Sequence, residues 1–379
     1  MRVLGLMSGT SADGVDAVLA EFAGSPSKPI WTLLNCFSLK YDNSLRDRIV
    51  NVGQGQKIDS SEWLSLTEDI TEFHAEAALR CDPFSRAEIV GCHGQTVFHR
   101  PPEKLNRGGS LQLLGAQLLA QIINKPVIHD FRSADLALQG QGAPLVPLLD
   151  EALLGRINGW RSILNLGGIS NITLIPPKCG PDVNKPIRGW DCGPANSLID
   201  LAVKKLNFNN LSFDKEGSIA SSGSPDFLII EEWLKEPFFN KNPPKSTGRE
   251  YFGLKDLMQR LEDMPNQPSQ NIISTLTAFS AAVIAQEINN LQKRKLVFPI
   301  ELLLAGGGSR NEYLVAQITH LCNGLIVRSI EDFGIPVQAR EALGFALLAW
   351  WHIYRHPGTT PSITGVKRPV VLGMRANPG

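Results

Sequence analysis

Residues 161–175 read RSILNLGGISNITLI: an apolar run, a Gly-Gly turn, and a second apolar run rich in β-branched residues. Two such runs joined by a short glycine turn predict a β-hairpin. RGWDCG (188–193) follows as a third strand, and NSLIDLAVKKL (196–206) begins a helix. The start of the chain has the same order. RVLGLMSG (2–9) is a strand, SGTSADG (8–14) a Gly- and Ser-rich turn, GVDAVLAEF (14–22) a return strand and WTLLNCFSLKY (31–41) a third. Each half therefore opens strand, turn, strand, strand: a repeat of architecture with no repeat of residue identity.

Outward from these hairpins, strands alternate with helices. D-S-S-E at 59–62 is a capping box before an amphipathic run to Cys81. EIVGCHG (88–94) is a strand, SLQLLGAQLLAQIIN (110–124) a strand running into a helix, and PVIHDF (126–131) a strand. QGQGAPLVP (139–147) reads as a flexible crossing between domains. Helices are expected at 225–235, 253–262, 271–292 and 338–354, with ELLLAGGGSRNEYL (301–314) giving strand, glycine turn and helix start, and GLIVRS (324–329) a further strand. The class is α/β.

Length and composition bound the function. At 379 residues the chain holds two domains, and 43% hydrophobic residues suffice for sizeable cores. Lys+Arg and Asp+Glu are both 37. That balance lacks the basic footprint of a nucleic-acid or membrane-surface protein, so neither partner is expected. MRVLGLMSGT does not read as a secretory signal, and the apolar stretch 345–354 is about half a membrane span. Six cysteines at 36, 81, 92, 179, 192 and 322 form no CxxC pair, which argues against a zinc site or a disulfide framework and for free thiols in the cytoplasm.

Three glycine turns follow apolar strands: SGTSADG, LGGISN and AGGGSRN. Glycine lets backbone amides approach an anion closely, although any α/β protein also needs turn glycines. Three in one chain, flanked by Ser, Thr and Asn, point to a nucleotide. There is neither a GxxxxGK[ST] loop nor a GxGxxG opening a helix after a strand.

The order of these turns resembles the phosphate 1, phosphate 2 and adenosine motifs of the sugar kinase/actin/heat-shock-chaperone ATPase superfamily. The wording is closer still to one family. MSGTSADGVDAVL, GCHGQTVFHRP, DFRSADLALQGQGAPLVP, NLGGISNIT, WDCGPANSLID, STGREYF, LLLAGGGSRN and EALGFALLA, in order from residue 1 to about 350, resemble the anhydro-N-acetylmuramic acid kinase family.

The resemblance implies two ribonuclease-H-like, actin-like ATPase domains with a cleft between them. Residues 1–137 plus 355–379 would carry the phosphate 1 turn and part of the sugar site. Residues 138–354 would carry the other two motifs and the catalytic acid. It implies ATP and Mg²⁺ as cofactors, an anhydro amino sugar as small-molecule substrate, a cytoplasmic setting, and allows a homodimer. The implied reaction phosphorylates the sugar on carbon 6 while water opens its 1,6-anhydro bridge.

Asp191 matches the family's catalytic aspartate and would take a proton from that water, its plainer alternative being a cap for the following helix. Gly9, Thr10, Ser11, Ala12, Asp13, Gly14, Val15 and Asp16 form the first ATP segment. Asp13 or Asp16 would hold the metal, while Asp13-Gly14 also suits a type I′ hairpin turn. Asn165, Gly167, Gly168 and Asn171 would meet the phosphates, and Gly306, Gly307, Gly308 and Asn311 the adenosine. Arg310 is either an ATP contact or a helix-start residue, Arg249 and Glu250 either site residues or a solvated loop, and Glu341 either an adenosine-side group or a helix-start acid. His93, Gln95, Thr96, Arg132 and Asp135 are the sugar-site candidates. An arginine suits the lactyl carboxylate of a muramic acid, though Arg132 and Asp135 also suit each other.

Against the family's usual pattern the chain has Cys192 for Thr, Ala195 for Gly, Gln139 for Gly, and Ser133-Ala134 within what is often an Arg-rich run. Cys192 as a thiol nucleophile is disfavoured by the lack of a nearby His in sequence. Two other functions stay open on sequence: a kinase for an ordinary hexose or amino sugar without hydrolysis, and a nucleotide-gated binding protein.

Overall fold

Both hairpin repeats fold into sheets of one design. In chain order the strands are β1 (Arg2–Ser8), β2 (Gly14–Ser25), β3 (Lys28–Lys40), β4 (Ile89–Arg100), β5 (Gly109–Leu113) and β6 (Val127–His129). Then come β7 (Arg161–Leu166), β8 (Ile169–Ile175), β9 (Arg188–Pro194), β10 (Glu301–Ala305), β11 (Ile326–Ser329) and β12 (Met374–Ala376). The computed structural model describes residues 1–9, 11–102, 106–208, 211–243, 245–248, 250–293 and 297–379.

The first sheet runs β12-β6-β4-β1-β2-β3, with β5 on β4. β1, β2 and β3 are antiparallel, while β4 joins β1 and β6 joins β4 in parallel. The second sheet runs β11-β10-β7-β8-β9. Here too the first three strands, β7 to β9, are antiparallel, and β10 and β11 add in parallel. A meander extended by parallel strands on the side of its first strand is the ribonuclease-H-like arrangement that the family resemblance implied. β10, ELLLA, lies between β7 and β11 and is buried at every residue.

The chain divides into two compact units, Met1–Leu154 with Gly334–Gly379, and Gly155–Phe333. The crossings thus lie at 154/155 and 333/334, not near 138 and 354. Two sets of contacts account for the shift. The Arg340–Ile353 helix lies directly on β1 and β4, because glycines face it. A Cβ on Gly5 would come 2.8 Å from Ala346 N, and one on Gly91 2.8 Å from Ala349 Cβ. The QGQGAPLVP stretch runs into the Val146–Leu154 helix, which stays in the first unit. Asp150 there accepts from Arg340 Nε at 2.9 Å, and the Leu153 carbonyl from Trp31 Nε1 at 3.2 Å.

The Ser60–Cys81 helix starts as its capping signal predicted, with Asp59 accepting from Glu62 N at 2.9 Å. The Asn43–Gly53 helix gives little sequence signal because only Leu45 and Ile49 are buried. The Ser269–Lys293 helix packs along β9 in the second unit. Its span Ser269–Leu291 is long enough to cross a bilayer and contains an 18-residue window of mean hydropathy 1.2, but 83% of that window is buried, so it is a core helix. It is less conspicuous in sequence than the 345–354 stretch because Ser274, Thr275, Thr277 and Ser280 break its apolar text while still being buried.

Candidate active site

In the first unit the glycine turn between β1 and β2 is braced from beneath. Ser8 Oγ lies 2.8 Å from the Gly14 carbonyl and 2.5 Å from Gln95 Oε1, and Tyr41 OH donates to it at 3.1 Å. Gln95 Nε2 donates to the Gly9 carbonyl at 3.0 Å and to that of Thr96 at 3.1 Å. Gln95 is fully buried. Its amide braces the turn from within the unit. Ser8 and Tyr41 share that work and were not singled out in the sequence.

The left-handed residue of the turn is Ala12, at φ +52°, whose N–H donates to the Gly9 carbonyl at 3.1 Å. A type I′ turn at Asp13-Gly14 does not form. Gly14 lies against β3, where a Cβ would come 2.8 Å from Lys40 Cα. Ser11 is exposed and Val15 is a core residue that offers only its backbone, while Thr10 lies outside the described residues.

The two acids of this segment differ. Asp13 is exposed, with Arg46 Nη2 3.6 Å from its Oδ1. Asp16 is half-buried and accepts from Ser38 Oγ at 2.5 Å. Burial raises its pKa above the ordinary carboxylate range, and the charge of Asp13 adds to that. Glu341, in the first turn of the Arg340–Ile353 helix, takes no hydrogen bond from the described residues. Burial raises its pKa; Arg340 and Arg132 oppose the rise and Asp16 adds to it. Glu341 thus belongs with Asp16 and Arg132 in the first unit, a grouping that its helix-start position hides in sequence.

His93 accepts at Nε2 from Arg132 Nε, 3.1 Å away, so its Nδ1 carries the proton and donates to the Gly94 carbonyl at 2.9 Å. Burial, then the Arg132 charge, push the imidazole down to about 3, and it stays neutral. His93 thereby acts as a fixed acceptor that aims Arg132, whose Nη1 also donates to the Gly142 carbonyl at 2.7 Å. Arg132 does not pair with Asp135. Asp135 is fully buried; its Oδ2 accepts from Gly142 N at 2.7 Å and its Oδ1 from Thr364 Oγ1 at 2.6 Å. It ties the 140–142 turn to the Pro361–Thr364 helix. Thr96 is half-buried, with Oγ1 accepting from Gln112 Nε2 at 3.2 Å.

In the second unit the strand register gathers the candidates. Asn165 on β7 stands opposite Asn171 on β8, and Asn171 opposite Asp191 on β9. Opposed residues share a sheet face, so the three polar groups form one row. Asp191 Oδ2 accepts from Ser246 Oγ and from Thr247 N, each at 2.9 Å. Its Oδ1 takes no bond from the described residues. The following Asn196–Lys205 helix has Ala195 as its cap, so Asp191 is not a capping residue. Ser246 and Thr247, within STGREYF, are the partners of Asp191; in sequence, Arg249 and Glu250 of the same motif stand out instead. Arg249 lies outside the described residues, and Glu250 is exposed.

The Gly167-Gly168 turn is pinned by its carbonyls. Gly167 O accepts from Asn196 N at 3.0 Å and Asn196 Nδ2 at 2.7 Å, and Gly168 O from Ala195 N at 2.9 Å. The glycine turn after β10 comes up against the same groups. A Cβ on Gly306, at φ +79°, would lie 2.6 Å from Asn165 Oδ1, and one on Gly308 2.7 Å from Asn196 Nδ2. Gly307 has nothing within 4 Å of its Cβ position. Asn196 is thus the missed residue that joins the two turns. Asn311 Oδ1 accepts from Leu314 N at 2.9 Å and caps the Glu312–Leu321 helix.

The departures from the family pattern fall into two kinds. Cys192 and Ala195 have no exposed surface and pack in the core of the second unit. Burial raises the Cys192 thiol well above its ordinary value, which removes the nucleophile reading. Gln139 holds φ +67°, a left-handed conformation that favours glycine. Ser133 is exposed on the Ser133–Ala137 helix and Ala134 half-buried.

Residues 1–377 match the anhydro-N-acetylmuramic acid kinase family. Anhydro-N-acetylmuramic acid kinases from Prochlorococcus marinus (strain MIT 9303) and Synechococcus sp. (strain CC9902) are 61% and 56% identical to this chain, with all of each chain covered. Among solved structures, xylulose kinase from Rhodospirillum rubrum covers 100% of this chain and 94% of its own at 11% identity, with a TM-score of 0.46. The full-length match and the two braced glycine-turn sites have one reading: this chain belongs to the anhydro-N-acetylmuramic acid kinase family.

Proposed function

We propose that this chain uses ATP to phosphorylate 1,6-anhydro-N-acetylmuramic acid on carbon 6 while water opens the anhydro bridge, releasing N-acetylmuramic acid 6-phosphate and ADP. The observation that carries this reading is Asp191, one oxygen held by Ser246 and Thr247 and the other taking no hydrogen bond from the described residues. A carboxylate so held accepts a proton in one direction. Water loses that proton to Oδ1 as it attacks carbon 1, the carbon 1–oxygen bond breaks, and the bridging oxygen receives the γ-phosphoryl group. Phosphoryl transfer removes the charge that would otherwise build on a poor leaving group.

Asn165, Asn171 and the glycine turns at 167–168 and 306–308 would contact ATP in the second unit, and Gly9 to Asp16 in the first. The acids fit Mg²⁺, which needs only one or two carboxylates beside phosphate oxygens. The Asp16 charge adds to the raised pKa of Glu341, and a divalent cation would relieve that repulsion. Asp16 would hold the ion, which would screen the phosphate charges; Asp13 faces Arg46 instead.

Arg132, aimed by His93 and the Gly142 carbonyl, would take the lactyl carboxylate. Arg132→Ala is expected to raise KM for the sugar about 10- to 100-fold, the loss of one charge-assisted pair, with KM for ATP unchanged. Steady-state kinetics with each substrate varied in turn check this. Reuse of cell-wall sugars, a cytoplasmic location and a homodimer are supported by the family likeness alone.

The reaction is tested by mass spectrometry of the product formed from ATP, Mg²⁺ and the anhydro sugar in ¹⁸O-labelled water. One phosphate and one heavy oxygen on carbon 1 are expected. A phosphorylated product that keeps its anhydro bridge would overturn the coupling, and absence of product the assignment itself.

A further inference from the structure

Beneath the Asp191 row lies a buried ion pair that the reaction as written does not use. Lys245 Nζ and Glu287 Oε1 are 2.7 Å apart, with both side chains almost wholly buried. Lys245 Nζ also lies 3.3 Å from the Phe238 carbonyl and 4.8 Å from the centre of the Phe238 ring. The other oxygen of Glu287 accepts from Trp190 Nε1 at 2.8 Å. Glu287 belongs to the Ser269–Lys293 core helix and so has little freedom to move.

Chain order gives this pair its meaning. Trp190 immediately precedes Asp191, and Lys245 immediately precedes Ser246 and Thr247, the two donors to Asp191 Oδ2. The Lys245 carbonyl in turn accepts from Asp191 N at 3.1 Å. One carboxylate therefore grips the strand that carries the acid and the loop that holds its far oxygen. A buried ion pair is weak evidence for stability, since an apolar pair of similar volume is often as good. Its value lies in geometry.

We propose that Lys245 and Glu287 are positioning residues for the reaction: they register the 245–247 loop against β9, so that Ser246 and Thr247 occupy Oδ2 and Oδ1 alone faces the attacking water. The proposal rests on Asp191 acting as the base.

The test is Lys245→Met/Glu287→Gln, which removes both charges together and leaves an acceptor for Trp190. Its kcat is expected to fall about 10- to 100-fold, the scale of a small misplacement of a reacting group, with KM for ATP and sugar unchanged. Ser246→Ala, which leaves the pair intact, should lower kcat in the same sense. The triple variant should lose less than the product of the two separate losses, because both act through one oxygen. Lys245→Arg, which keeps the charge, should recover activity. Independent, multiplying losses, a change confined to KM, or full kcat in the double variant would each overturn the proposal. If the double variant does not fold, Ser246→Ala and Lys245→Arg decide: wild-type kcat in the first, or no more activity in the second than in Lys245→Met, sinks it. Failure of the underlying reading shows up separately, as absence of product from the wild-type protein.

Discussion

Asp191→Asn is expected to lower kcat by about 10²- to 10⁴-fold, the range of a positioned general base. Asparagine keeps the shape and an oxygen for the Ser246 and Thr247 donors, so the loop and strand stay in place. Only the ability to accept a proton is lost. KM for ATP should remain within about twofold, and a fluorescent nucleotide should bind as before. Such a split separates a chemical role from a binding one. A variant that keeps more than about a tenth of the wild-type kcat would transfer the base to another group. Because phosphorylation depends on ring opening in the proposed scheme, both heavy-oxygen incorporation and ADP release should fall together.

The largest stability effect is expected at Gly5. Its added methyl group would meet Ala342 and Ala346 backbone atoms, which have no flexible end to swing away. Gly5→Ala should therefore cost about 3 kcal/mol, the upper part of the range for overpacking. For a unit of this size that is roughly 6–12 °C in Tm by calorimetry or circular dichroism. The activity of the folded fraction should fall as well, since the displaced helix begins with Arg340 and Glu341. An unchanged Tm would mean that the helix does not sit against β1 as described. Gly307→Ala, with open space around it, is the control for stability and should leave Tm within about 1 °C.

Much of the fold was legible because it depends on local pattern. The strand–turn–strand repeat at 2–22 and 161–175, and the Asp59 cap, are written in neighbouring residues. The unit boundary was not. It depends on glycines at 5 and 91 meeting a helix some 250 to 340 residues later, and an isolated glycine does not announce what it touches. The site shows the same division. Motif membership singled out Asp191, Arg132 and the glycine turns as candidates, but it could not tell which motif residues spend their side chains within the chain. Gln95, Asp135 and Asn311 share motifs with them, yet each spends its side chain on backbone or side-chain partners within the chain. Ser246 and Thr247 were missed for the converse reason. A hydroxyl and a backbone N–H carry no charge to attract notice beside Arg249 and Glu250.

The first unit is assembled from two stretches of chain, Met1–Leu154 and Gly334–Gly379, with the second unit's Gly155–Phe333 synthesised between them. This imposes an order on the ribosome. The second unit is continuous and can close its core as soon as it has emerged. The first must wait, its β1 and β4 surfaces uncovered, until the Arg340–Ile353 helix and β12 arrive. For most of the time taken to translate the chain, the segment made first is the one left unfinished, and its apolar sheet face is the surface most in need of a chaperone.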